Sequence, residues 1–177
     1  ADYVQTAIDD IEIGGRNLAI VSAMEVGFLN SAPGTFVPDS TNHEKTTDFI
    51  YVKDFTTLQF SYFMVPTDSY KWYAWSFYDE NKETVARPGF HLFGTEDSYE
   101  TLVREIVVPN DAHFVRFSAR WLFENECKIK VEKGNKATDW TPAPEDVEAE
   151  ISSLSAELLV QAGIISAKAD SSTVNAL

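Results

Sequence analysis

Two kinds of side chain in this sequence could do chemistry. The first is the carboxylate. Asp79 with Glu80, Glu96 with Asp97, and Asp111 all fall in stretches with turn composition. Glycoside hydrolysis needs two carboxyl groups across a cleft, one of them held protonated by its surroundings. Turn acids on an acidic chain are solvated, so these pairs predict no catalytic site. Nucleophiles are scarcer still. No G-x-S-x-G elbow occurs, and Cys127 and the histidines do not fall at any known Cys–His spacing. His43, His91 and His113 lie far apart, without metal-ligand spacing, and a single cysteine can form neither an intrachain disulfide nor a zinc motif. No glycine-rich phosphate loop or EF-hand loop is present. The sequence therefore predicts no catalytic residue, no cofactor and no metal ligand: a protein that is not an enzyme.

The second kind is the planar ring and the planar cation. In "YKWYAWSFY" the alternate residues Tyr73, Trp75 and Phe77 form the more apolar face, which predicts that they point inward. That leaves Trp72 on an outer, wet face, with Tyr70 and Tyr78 as strand-end neighbours. Arg116 and Arg120 share the outer face of another strand, and His91 lies with Arg87 and Phe90 in the loop-like "ARPGFHLFG". The C–H face of a pyranose packs on an aromatic ring, and arginine or histidine can fix its hydroxyls. Trp72, Tyr70, Arg116, Arg120 and His91 are accordingly the candidate saccharide-binding residues. A register slip of one residue would exchange the two faces.

These side chains need a scaffold. The chain has 177 residues, 44% of them hydrophobic and 13% aromatic, enough for one domain with a sizeable core plus appendages. Its net charge of −14 disfavours nucleic acid and anionic membrane surfaces as partners. No apolar run approaches the roughly 20 residues of a membrane-spanning helix.

Three zones follow. In residues 1–13, Val4, Ile8 and Ile11 make one helical stripe, and Gly14-Gly15 ends it. From 14 to 141 the period becomes two. Leu58, Phe60, Tyr62 and Met64 fall on one face, as do Val115, Phe117, Ala119 and Trp121, and Ile129 and Val131 close the series. Short alternating strands between turns predict an all-β antiparallel β-sandwich. Residues 142–177 hold Val147, Ile151, Leu154, Leu158, Gln161 and Ile165 at spacings of four and three, a heptad seam. This short seam must fold back or self-associate. Gly163 and the polar tail are expected to weaken the helix beyond it.

Four segments carry a resemblance: "GRNL" after the first helix, "FYDENKE", "VPNDAHFVRFS" and "EKGNKATDWTPAPED". Over about residues 11–148 the chain resembles a jelly-roll carbohydrate-binding module found in tail-tip, baseplate and receptor-binding proteins of phages infecting Gram-positive bacteria. The resemblance implies a jelly roll between helical, trimeric stalk segments. It also implies a place in the virion tail beside other tail proteins, with host cell-surface polysaccharide as ligand. It carries over no binding residues, because Arg16, Asn17, Gly134, Asn135, Trp140 and Pro142 belong to the boundaries; Trp140 is expected to plug the apolar base of the domain. The seam leaves dimer and trimer open. The alternatives are a structural spacer of the tail tip and, third, a cell-wall glycan hydrolase.

Overall fold

The computed structural model describes residues 14–30, 34–38, 44–63, 71–85, 89–93, 101–120 and 128–174. They form mostly β-strands in antiparallel sheets, followed by one long C-terminal helix. The chain divides into two compact units, Ala1–Ala143 and Pro144–Leu177. The predicted helix of residues 1–13, together with His43, Met64, Tyr70, Arg87, Trp121 and Cys127, lies outside the described residues.

The strands are β1 (Glu25–Val26), β2 (Phe28–Leu29), β3 (Phe36–Val37), β4 (Glu44–Thr46), β5 (Ile50–Tyr51), β6 (Thr57–Phe63), β7 (Lys71–Tyr78), β8 (Gly89–Phe93), β9 (Thr101–Val107), β10 (Phe114–Arg120) and β11 (Lys128–Lys133). A single 3-10 turn spans Val21–Ala23, and helix α1 spans Pro144–Val174. The large sheet runs β1-β4-β10-β7-β8, with β5 continuing the edge of β10 beyond β4; the small sheet runs β11-β6-β9. Between β4 and β5, Thr47 keeps the ladder closed. Its N–H donates to the Phe117 carbonyl, and its hydroxyl accepts from the Phe117 N–H.

The alternation read from the sequence is the packing observed. Leu58, Phe60 and Tyr62 of β6 and Ile129 and Val131 of β11 point into one core, against Tyr73, Phe77, Val115, Phe117 and Ala119 of the large sheet. Phe60 and Phe117 stack across the two sheets with centroids 4.7 Å apart and planes 1° from parallel. The two sheets thus enclose a shared apolar layer, the layering of a sandwich. Phe90 and His91, expected in a loop, instead lie on β8, where His91 pairs with Tyr73.

The opening and closing segments are tied to each other. Asn17, 1% exposed, uses its whole amide. Its Nδ2 donates to the carbonyls of Ile129 (3.0 Å) and Thr141 (3.1 Å), and its Oδ1 accepts from the N–H of Ala19 (3.0 Å) and of Val131 (3.1 Å). Gly14 lies so close to β11 that a Cβ there would sit 2.2 Å from the Lys133 carbonyl oxygen. Beside it, Glu132 accepts from the N–H of Gly15 and Thr138 and pairs with Lys130, whose ammonium donates to the Asp139 carbonyl; both side chains are buried. The closing segment therefore covers the outer face of β11. Trp140 differs from expectation: it joins neither apolar cluster, and the Lys128 ammonium lies 4.4 Å from its ring centroid. The ring is half-buried at that edge, and its indole N–H is buried there without a hydrogen-bond partner.

Helix α1 begins at Pro144, with Glu145 and Asp146 in its first turn. It runs through Gly163 to Val174, further than the sequence suggested. One glycine costs a helix only about 1 kcal/mol against alanine, and Ala162, Ala167 and Lys168 around it are good helix formers. The seam residues Val147, Ile151, Leu154, Leu158 and Ile165 are all exposed.

Candidate functional site

The outer face of the large sheet is where the expected saccharide residues should meet solvent. The strands bring two of them together. Trp72 on β7 lies beside the end of β10, where Arg120 follows Ala119, the partner of Tyr73, and stands opposite Glu44. His91 on β8 pairs with the core-side Tyr73, whereas Trp72 pairs with Leu92, so His91 does not share the Trp72 face. Arg116 lies four residues, two repeats of the pleat, back along β10. For His91 and Arg120 only the backbone is described, and Tyr70 lies outside the described residues.

The face is not wet. Strands β2 and β3 pair with each other and fold back across it as a hairpin. Leu29, Phe28 and Phe36 pack with Trp72 and Ala74 in a second apolar cluster. The Phe28 ring meets the Trp72 ring edge-on at 6.4 Å. Trp72 is 9% exposed, which corrects the expectation of an open stacking surface at that ring. The inner and outer faces were assigned to the right residues; what the alternation could not show is that both faces are covered. Gly27 makes the roof possible: at φ +140°, a Cβ would lie 2.4 Å from the Val37 carbonyl oxygen.

Arg116 is corrected in the same way. It is 4% exposed. Its Nε donates to the Thr47 carbonyl at 2.7 Å, and its Nη2 pairs with the Glu25 carboxylate. The guanidinium lies 4.8 Å from the Phe36 centroid and 4.9 Å from that of Phe49, so two rings clasp the cation. The Trp72 ring and the Arg116 guanidinium, two planar groups that would suit a sugar, are both engaged with the roof. Thr46 adds a hydroxyl donation to the Gly27 carbonyl.

Tyr78 anchors the roof's far end, donating its phenol to the Gly34 carbonyl at 2.9 Å. Burial raises its pKa above the ordinary 10.0, while the Ser76 hydroxyl and the Arg116 guanidinium pull it down. The folded state therefore holds this proton longer than the unfolded chain does. The stabilisation is fully present below about pH 10 and is lost as pH climbs through the raised value. Tyr78→Phe should start about 1 kcal/mol less stable at neutral pH, having lost one hydrogen bond. It should also show a flatter fall in stability from pH 9 to 11, read from urea melts.

Toward the other end of the sheet lies a second set of rings, of which Tyr51 is exposed and Tyr78 is buried. Tyr51, Phe114 and Tyr78 occupy one cross-strand row over β5, β10 and β7. Phe49 packs edge-on against both Tyr78 (5.0 Å) and Phe114 (5.9 Å), and Tyr51 against Phe114 (5.7 Å). The Lys82 ammonium stands 4.5 Å from the Phe49 centroid. Sequence reasoning missed this group, although the signal was present. Phe114 shares the parity of Arg116, and Phe49 and Tyr51 flank the inward Ile50. The turn that carries Lys82 is built by Asp79, whose Oδ1 accepts from the N–H of Asn81 and Glu83. One member of the Asp79–Glu80 pair thus has a structural task.

With this geometry in hand, the similarities can be placed. The chain is similar to a phage tail fiber protein. It is 27% identical over 157 residues to the "Tail fiber protein" of Enterococcus phage phiEF24C, a match that covers 85% of this chain and 8% of the relative, so the chain spans a small part of that protein's length. No family profile matches the chain. Among solved structures, "BiXyn10A CBM1 APO" superposes with a TM-score of 0.32 and 16% identity, over 71% of this chain and 89% of that one, too loosely to transfer anything from it. Among the described residues no group of histidine, cysteine and acidic side chains is placed to hold a metal ion, and no helix is long and apolar enough to cross a membrane.

Proposed function

We propose that this chain is a non-catalytic, saccharide-binding jelly-roll module of a phage tail adhesion protein, acting at the bacterial surface. The observation that carries the reading is the tail-fiber similarity, which extends over most of the chain. In support, the domain displays an exposed tyrosine, Tyr51, at the end of a cross-strand aromatic row on its large sheet. Arg120, His91 and Tyr70 keep the proposed role of saccharide contacts; Trp72 and Arg116 support the roof. The reading predicts that a fluorescent fusion of the full chain labels Gram-positive cells or their extracted wall polysaccharide. Absence of labelling at micromolar oligomer would end it.

The helix is proposed to self-associate, with a trimer expected. Val147, Ile151, Leu154, Leu158 and Ile165 are 39–67% exposed along a seven-residue repeat, and a seam of that period suits a supercoil of like helices. Leu158→Asp should leave the β-domain's melting unchanged but shift the chain to monomer in light scattering. Cell labelling should then drop about a hundredfold through lost multivalency.

A spacer role is the second reading, favoured by one observation. The motifs that carry the family resemblance, around Asn17 and Thr138–Thr141, spend their polar atoms on each other. It predicts loss of tail assembly, with saccharide binding never present.

A further inference from the structure

We propose that Tyr51 and Phe114, braced from behind by Phe49 and with Lys82 at their rim, form a stacking platform for an uncharged pyranose ring. The platform is separate from the Trp72 end of the sheet. The inference rests on the saccharide-binding reading and gives it a site.

Exposure is the first observation. Tyr51 is 52% exposed, the only aromatic ring so exposed among the residues whose side chains are described. An isolated exposed tyrosine would mean little, but this one is braced. Phe114 lies beside it in cross-strand register, Phe49 packs on Phe114, and Tyr78 underlies both and is fixed by its bond to Gly34. Each ring meets the next edge-on, at interplanar angles of 72–79°. A braced ring loses little freedom when a ligand stacks on it, which lowers the entropy cost of binding.

Lys82 is the second observation. It is the only non-glycine residue with a left-handed backbone among the described residues, at φ 65°. That conformation costs a side-chain-bearing residue about 1 kcal/mol or more, and glycine would relieve it. Lysine there instead places its ammonium 4.5 Å from the Phe49 centroid and 5.9 Å from that of Phe114. The hairpin itself calls for a left-handed residue at this point, where the Lys82 N–H closes on the Asp79 carbonyl, and a lysine there brings its ammonium over the rings. The ammonium supplies hydrogen-bond donors for ring hydroxyls.

The surroundings choose the ligand. Asp48, Lys53, Asp54, Glu80, Glu83 and Asp111 flank the rings in sequence and are exposed. A polar rim of this kind does not suit an apolar peptide, which needs a continuous apolar groove. Its balance is acidic, on a chain of net charge −14, so phosphate- and uronate-bearing polymers are repelled. A neutral sugar offers an apolar C–H face to the rings and hydroxyls to the rim.

The test uses the full chain on a printed array of neutral and acidic oligosaccharides, followed by titration of the best neutral member by saturation-transfer NMR. Wild type should bind neutral glycans. Tyr51→Ala should bind about five- to tenfold more weakly, the worth of one stacked ring. Tyr51→Phe should stay within about twofold, because the ring and not the hydroxyl does the stacking. Thermal melts of Tyr51→Ala should match wild type, since the ring is half exposed; this separates lost binding from lost fold. Wild-type binding that Tyr51→Ala leaves intact would overturn the platform and leave the saccharide reading standing. Binding confined to acidic glycans would overturn the uncharged ligand. No binding to any array member would remove the saccharide reading and the platform with it.

Discussion

Trp72→Ala is expected to destabilise the β-domain by about 4 kcal/mol and to lower its Tm by roughly 10 °C or more. The indole is 9% exposed, packed by Leu29, Ala74, Phe28 and Phe36 under the hairpin. Burying a ring of that size removes on the order of 200 Å² from water, and about 25 cal/mol per Å² makes this close to 5 kcal/mol as an upper figure. Alanine would also leave a cavity that two short strands cannot collapse to fill. The loss should spread along the roof, since Phe36 also clasps Arg116. Trp72→Phe should recover about half of it. Folded Trp72→Ala, assayed well below its Tm, should still bind whatever the wild type binds. A variant that melts like wild type while losing ligand would restore Trp72 to the site and refute the buried role.

This prediction shows where the sequence was readable. In β6, β7, β10 and β11 each residue on the core side was identifiable from period two, because a strand of six to eight residues repeats its pattern several times. Trp72 was correctly placed opposite Tyr73. What failed was the step from "not facing the core" to "facing water". That step depends on β2 and β3, strands two residues long that repeat nothing. Their role rests on long-range contacts: Tyr78 to Gly34 and Thr46 to Gly27. No local pattern encodes such contacts. The aromatic row was hidden for a related reason: Tyr51, Phe114 and Tyr78 are far apart in the chain and meet only through the β5–β10–β7 register.

The helix shows the opposite balance. Its seam was legible because five apolar residues hold one period over nearly three heptads. Its end was not, because glycine and serine lower helix propensity by amounts that a long helix absorbs.

The entry and exit motifs showed no mechanism in the sequence, and Asn17 tests the one the structure gives them. Asn17→Ala is expected to cost about 4 kcal/mol, lowering Tm by roughly 10–15 °C. An asparagine amide has two donors and two strong acceptor sites, and all four are used on backbone groups. Alanine would orphan the carbonyls of Ile129 and Thr141 and the N–H groups of Ala19 and Val131. Each orphaned buried group costs about 1–3 kcal/mol, less what relaxation and water recover. Asn17→Asp is the sharper variant. It keeps shape and both acceptors, but turns two donors into an oxygen facing two carbonyl oxygens and brings a charge into a site 1% exposed. It should be at least as damaging as alanine despite being nearly isosteric. If packing alone mattered, Asn17→Asp would melt with wild type. A second reading comes from limited proteolysis. Thr141 is held by Asn17, and Thr138 by Glu132, so the segment between β11 and Ala143 should be cut sooner in Asn17→Ala than in wild type at equal distance below Tm. Faster cutting there, with the strands still protected, would show that this one amide joins the start of the β-domain to its end.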